Sequence, residues 1–242
     1  MTRRFLISSL AVGLLALGGL NAQAGQISIS PVGAPLSDFV TPPAPLGNYA
    51  IVGNLEFSDF TYTPQAVSPP GPAPPPTAAN VTVAPFTYPP APPPPGETGI
   101  SFTGGFYAAP DTIVDYKIGY TVTALSGTIT DAYMLLAGGP FGGNGSVSAA
   151  ETITNAANGA FLGSMEGTFG ALVTSTNWSP GVTSISVAKD MLLVGGSNGA
   201  TVSFVGQAFS SAIPEPASMA LLGIGLSGLF TLRRLFKRTS VA

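Results

Sequence analysis

The chain has 242 residues, 45% of them hydrophobic and only 8% charged, with no histidine and no cysteine. Those two absences exclude thiolate nucleophiles, Ser-His-Asp triads, zinc held by His or Cys and His-ligated haem, and they deny the fold any disulfide. Between residues 25 and 213 ten acids (Asp38, Glu56, Asp59, Glu97, Asp111, Asp115, Asp131, Glu151, Glu166, Asp190) face two bases, Lys117 and Lys189, a net −8 that speaks against nucleic-acid binding through phosphate neutralisation.

The first 24 residues carry an export pattern. Arg3 and Arg4 form a positive start, Phe5 to Leu20 an apolar run, and Ala22-Gln23-Ala24 an A-x-A site, which predicts a signal peptide over 1–24 cleaved before Gly25. An uncleaved N-terminal anchor is the alternative. Thr2-Arg3-Arg4-Phe5-Leu6 lacks the spacer of a twin-arginine signal and no cofactor motif demands folded export, so the Sec machinery is the expected route.

Residues 25–213 read as one exported domain, and a domain of this size can bury ~70% of its unfolded surface. Gln26 to Ser30 is a candidate first strand. Leu55-Glu56-Phe57 and Phe60-Thr61-Tyr62 alternate in opposite phase, which predicts a bulge at Ser58-Asp59. Fourteen of the 24 prolines lie between Pro64 and Pro95, so residues 64–95 are expected to form a proline-rich surface insertion, a spacer or docking element, with Val81-Thr82-Val83 as a short edge strand.

Period-two patterning is clearest from Val114 to Ala124, where Val114, Tyr116, Ile118, Tyr120 and Val122 share one face of a long half-buried strand. Ser126-Gly127 turns it into Thr128–Leu136. Gly138 to Gly145 holds five glycines in eight residues and reads as an irregular loop. Further strands are expected at 147–154, 160–166, 170–175, 185–194 and 201–205, the last two joined as a hairpin through Gly195–Gly199. Many short strands with Gly-rich turns and no amphipathic helix predict an all-β antiparallel sandwich, jelly-roll-like.

Candidate chemistry is sparse. Glu151 and Glu166 are the best carboxylate pair for glycosidic hydrolysis, though each sits among small residues that suit solvated positions. Asp111 and Asp115 are candidate calcium ligands without EF-hand or nonapeptide spacing. Trp178 and the strand tyrosines could stack on sugars or pack inside. Asn80, Asn144 and Asn177 match the glycosylation sequon, a pattern frequent by chance. No cofactor site is indicated.

The tail is the most specific stretch. Pro214-Glu215-Pro216 is held extended by its prolines. Residues 217–232 are uncharged, somewhat short of a full span, and reach Phe236 if Arg233, Arg234, Lys237 and Arg238 snorkel. Those four cations belong on the cytoplasmic side, leaving the domain outside the inner membrane. Gly223 and Ser227 form a small-xxx-small pair for helix contact.

Pro-Glu-Pro, a short Gly/Leu/Ala-rich helix and a terminal basic cluster, in this order, resemble the PEP-CTERM sorting signal of Gram-negative, exopolysaccharide-producing bacteria. The resemblance covers about the last thirty residues, 214–242. It implies processing by an exosortase, a membrane-embedded cysteine peptidase, with Pro214, Glu215 and Pro216 as the recognised residues and 217–238 as the anchor. The combined expectation is a non-catalytic surface or extracellular-matrix protein associated with exopolysaccharide or biofilm. The alternative is a secreted carbohydrate-active enzyme or a lectin-like sugar-binding module.

Overall fold

The computed structural model describes residues 25–29, 32–40, 47–68, 75–88, 97–168 and 173–212, with Ile224 and Ser227 from the tail. The strands are β1 (Ala34–Pro35), β2 (Ala50–Val52), β3 (Leu55–Ser68), β4 (Thr82–Tyr88), β5 (Glu97–Thr103), β6 (Phe106–Ala108) and β7 (Ile113–Ala124). They continue as β8 (Thr128–Pro140), β9 (Ser146–Asn155), β10 (Phe161–Thr168), β11 (Val173–Val182), β12 (Ser184–Val194) and β13 (Ala200–Ala212).

Alternation builds two faces. In β7 the even-numbered residues from Val114 to Ala124 are buried, and β12 repeats the pattern with Ile185, Val187, Met191 and Leu193. Each strand therefore offers one apolar face, and pairing aligns those faces into sheets. The first sheet runs β1-β4-β5-β13-β8-β11, with β6 also beside β13. The second runs β10-β9-β12-β7-β3-β2, and every named strand pair is antiparallel. The inner faces meet in an all-β sandwich.

Aromatic rings lock the two sheets at one end of the core. Phe57 and Phe60 of β3 reach Phe209 of β13 at 6.2 Å and Phe102 of β5 at 6.5 Å, and Tyr120 of β7 lies 5.7 Å from Phe102. Burying each such ring contributes about 1.5–3 kcal/mol. One helical turn, α1 (Ser37–Val40), adds Phe39 to this cluster, 4.9 Å from Phe60. The single turn lies below the length at which periodicity reveals a helix.

Several expectations hold. β3 slips register between Ser58 and Thr61, with Asp59 at φ 54°, so the predicted bulge lies where the alternation changes phase. The long strand at 113–124 and the turn at Ser126-Gly127 are present.

Others are corrected. Gln26 makes only an isolated bridge to Tyr49, not a strand. β8 continues through Gly138, Gly139 and Pro140, which pair with Val202, Thr201 and Ala200, so the glycine-rich loop begins only at Phe141. Strands also enter the proline-rich stretch. Pro64 pairs with Tyr116 and Pro85 with Ile100, in both cases where the strand's other edge has no described partner and a missing N–H is harmless.

The largest correction concerns Gly195–Gly199. β12 and β13 do not form a hairpin. They lie in opposite sheets, and the glycine segment arches between them. Gly195 N donates to the Thr112 carbonyl at 2.8 Å, which ties the arch to the start of β7. A hairpin would keep both apolar faces on one side, whereas the arch turns them toward each other across the core.

The close approach of β5 to β13 depends on Gly99. A Cβ there would overlap the Gln207 carbonyl oxygen and meet Ala208 Cα at 2.7 Å. Gly99→Ala is expected to lower unfolding free energy by about 1–3 kcal/mol, read from the midpoint of urea denaturation.

Candidate functional site

Among the described residues, two surfaces and one interior cluster gather the polar side chains. On the outer face of the first sheet, Tyr88 of β4 pairs across the ladder with Glu97 of β5. Next along the sheet, Ser210 of β13 pairs with Asp131 of β8. Tyr133 stands two residues beyond Asp131, because Ala132 and Met134 take the inward positions. The Tyr88 and Tyr133 rings stack with centroids 5.4 Å apart at 21°. Ser210 Oγ donates to Glu97 Oε1 at 3.2 Å, and Ser210 N donates to Asp131 Oδ1 at 2.9 Å. Glu97 Oε2 is buried and without a partner.

Burial first and the Asp131 charge second push the Glu97 carboxyl above its usual range, against the Ser210 hydrogen bond. The Glu97 charge, ahead of burial, Asp131 and Tyr88, pushes the Tyr133 hydroxyl up. Paired aromatic rings beside two carboxylates and a hydroxyl offer apolar faces together with hydrogen-bond acceptors, the requirements of a sugar ring.

On the outer face of the second sheet, Thr61, Lys117, Gly119, Ala150, Thr152 and Asp190 line an open groove of about 420 Å³. Lys117 Nζ lies 3.3 Å from Asp115 and 3.8 Å from Asp190. Burial, then Asp115, raise the Asp190 carboxyl, and Lys117 opposes them. Asp111 sits instead in the exposed turn before β7 at φ 58°, its N donating to the Gly196 carbonyl at 2.6 Å. Among the described residues no three His, Cys, Asp or Glu side chains converge as a metal site.

Inside the sandwich, Lys189 of β12, Glu151 of β9 and Gln207 of β13 are buried to 2%, 1% and 0% exposure. Lys189 Nζ donates to Glu151 Oε2 and to Gln207 Oε1, the latter at 3.0 Å. Sequence reasoning placed Glu151 in a solvated position, and the structure overturns that. Glu151 follows the inward phase of β9, while Glu166 on β10 points to solvent. The register pairs Glu151 with Met165 and Glu166 with Ala150, so the two carboxylates stand on opposite faces of one sheet. They cannot flank one glycosidic bond. The signal available was phase: Glu151 shares parity with Val147, Ala149 and Ile153.

Trp178 is in the core, its Nε1 donating to the Ile129 carbonyl at 2.9 Å, so it offers no sugar platform. Tyr116 and Tyr120 also point inward, whereas Tyr88 and Tyr133 make an outer pair of stacked rings; Tyr107 is exposed beside Phe141, at 6.4 Å and tilted by 46°. Asn80 closes a 3-10 turn with Thr77, and Asn144 Oδ1 accepts from Ser197 N at 3.2 Å. Gly25 enters the fold with its N donating to Asn48 Oδ1 at 3.1 Å. Ala22, Ala24, Pro214, Glu215, Pro216, Arg233, Arg234, Lys237 and Arg238 lie outside the described residues. In the tail, Ile224 and Ser227 are helical, and Ser227 Oγ donates to the Ile224 carbonyl at 3.0 Å. Among the described residues no helix is long and apolar enough to cross a membrane.

Residues 212–234 match the PEP-CTERM protein-sorting motif. No curated protein matches the chain. Among solved structures, the carbohydrate-binding module TmCBM61 in complex with beta-1,4-galactotriose is 11% identical, with a TM-score of 0.31 over 62% of this chain and 88% of that one. The enzymatically active domain of bacteriophage CBA120 tailspike protein 4 is 10% identical, with a TM-score of 0.32 over 63% of this chain and 20% of that one. A structure of carbohydrate-binding modules from the beta-sandwich superfamily is 10% identical, with a TM-score of 0.29 over 63% of this chain and 57% of that one. Likeness at this level does not extend to a ligand.

Raised carboxyls set the sign of the acid response. Glu97 and Asp190 hold their protons to higher pH when folded than when unfolded. The folded state therefore binds more protons between the unfolded and folded values, and stability rises as pH falls through that window. The melting temperature should be higher at about pH 5 than at about pH 7, and Glu97→Gln should shrink the difference. A melting temperature lower at about pH 5 than at about pH 7 contradicts the assignment.

Proposed function

We propose, from the premise that the chain carries the PEP-CTERM protein-sorting motif at residues 212–234, that it is an exported, non-catalytic protein of the cell surface or extracellular matrix. The Sec machinery takes residues 1–24, the inner membrane holds 217–236 at least transiently, and an exosortase processes the chain at Pro214-Glu215-Pro216. The motif carries this reading. The non-catalytic part is supported by the opposed faces of Glu151 and Glu166, which leave the carbohydrate-active alternative without its carboxylate pair.

Intact mass of the protein from its native host's surface and medium tests the processing. The expected species starts at Gly25 and ends near Pro214–Pro216. Replacing Pro214, Glu215 and Pro216 together by alanine should leave the full tail in the membrane fraction. A wild-type mature form that retains Arg233–Arg238 overturns the proposal.

A lectin-like role in exopolysaccharide association is favoured by one observation, the Tyr88–Tyr133 pair beside Glu97 and Asp131. Tyr133→Ala is expected to weaken retention by the host's exopolysaccharide in affinity electrophoresis about 2–10-fold, the worth of one aromatic contact. Unchanged retention removes this face from the function.

A further inference from the structure

The interior cluster is poorly explained as an ion pair. Burying two charges costs about as much as their attraction returns, and orphaned polar atoms add to the cost. Here Glu151 Oε1, Gln207 Nε2 and Tyr120 OH are all buried without a hydrogen-bond partner. The Gln207 side chain lies close enough to Glu151 to favour its carboxylate, yet its Nε2 makes no hydrogen bond.

As a set of reactants the same atoms have places. Lys189 brings an amine, Gln207 a carboxamide whose carbonyl oxygen that amine already contacts at 3.0 Å, and Glu151 a carboxyl touching the amine. The site is closed off from solvent, so the competing reaction with water is suppressed. Three residues from β9, β12 and β13 converge only because the Gly195–Gly199 arch turns β12 and β13 face to face.

We propose that Lys189 and Gln207 join in an intramolecular amide cross-link between the two sheets, with Glu151 carrying the protons. The Lys189 ammonium first passes a proton to the Glu151 carboxylate, leaving a neutral amine and a neutral acid. The amine lone pair forms the Nζ–Cδ bond to Gln207, and the carbonyl π pair moves onto Oε1. Glu151 gives its proton to Nε2 and takes one from Nζ. The Oε1 pair then restores the carbonyl, the Cδ–Nε2 bond breaks with its electrons on nitrogen, and ammonia leaves. One amine and one primary amide become one secondary amide and one ammonia. No oxidant, reductant or cofactor enters, and Glu151 ends as a neutral acid. Burial pushes the Glu151 carboxyl up against the opposing pull of Lys189 and Gln207, which suits that neutral form.

The product would remove the buried charges and join the sheets covalently in a chain without cysteine. That is a strong staple for a protein working outside the cell, and it goes beyond the sorting and sugar-contact readings without depending on either.

High-resolution mass spectrometry of the purified full chain decides it. The expected mass lies about 17 Da below that of the observed chain ends, the loss of one ammonia. Digestion with a broad-specificity protease should release a branched species whose fragments join Lys189 to Gln207. Gln207→Leu and Glu151→Gln should each restore the sequence mass, with circular dichroism reporting that strands persist. The wild-type measurement stands alone if a variant fails to fold. Separate, unmodified Lys189 and Gln207 peptides overturn the proposal. A deficit of about 18 Da mapped to Lys189 and Glu151 overturns it too, because water rather than ammonia would have left.

Discussion

The passage of the chain from one sheet to the other between β12 and β13 is the constraint on which the rest of the molecule depends. Both strands alternate, and both have one apolar face. A hairpin would have laid them side by side with those faces on the same side; the arch at Gly195–Gly199 opposes them. β13 then becomes central to the first sheet, flanked by β5, β6 and β8, while β12 sits between β9 and β7 in the second. The core between them is assembled from strands distant in sequence, which is why aromatic contacts such as Phe57 with Phe209 span most of the chain.

That arrangement separates two environments for polar groups. Outward residues of the first sheet keep partial access to water, so Glu97 and Asp131 can share Ser210 beside the stacked Tyr88 and Tyr133 at modest desolvation cost. Inward polar residues have no such relief. Lys189, Glu151 and Gln207 must satisfy one another, yet Glu151 Oε1 and Gln207 Nε2 are left without a hydrogen-bond partner. A buried network with unmet hydrogen-bonding groups is costly, and the proposed cross-link would remove its two charges.

The prolines show how a local signal can be right and its consequence misread. Proline lacks an N–H and suits edges, and Pro64 and Pro85 do stand where one side of the strand is without a described neighbour. Composition alone suggested an excursion over the whole of 64–95. Yet a strand segment needs only one bonded side, so β3 beyond its pairing with β2, and β4 beyond its pairing with β1, run through the stretch, and β4 contributes Tyr88 to the outer aromatic pair.

Taken alone, the amino-acid sequence determined the class of fold, the long strand at Val114–Ala124, the bulge at Ser58-Asp59 and the sorting tail. Each is written in a short window, as a two-residue period, a phase change or an ordered run of residue types. Only the tertiary structure decided which carboxylates could act together. Glu151 and Glu166 differ in strand parity, and a single step in parity moves a side chain from core to solvent. Likewise, Lys189 and Gln207 meet because two strands belong to opposite sheets, and strand–glycine–strand patterning is the same for a hairpin and an arch. Sheet membership is a long-range property, set by which inner faces exclude water from each other.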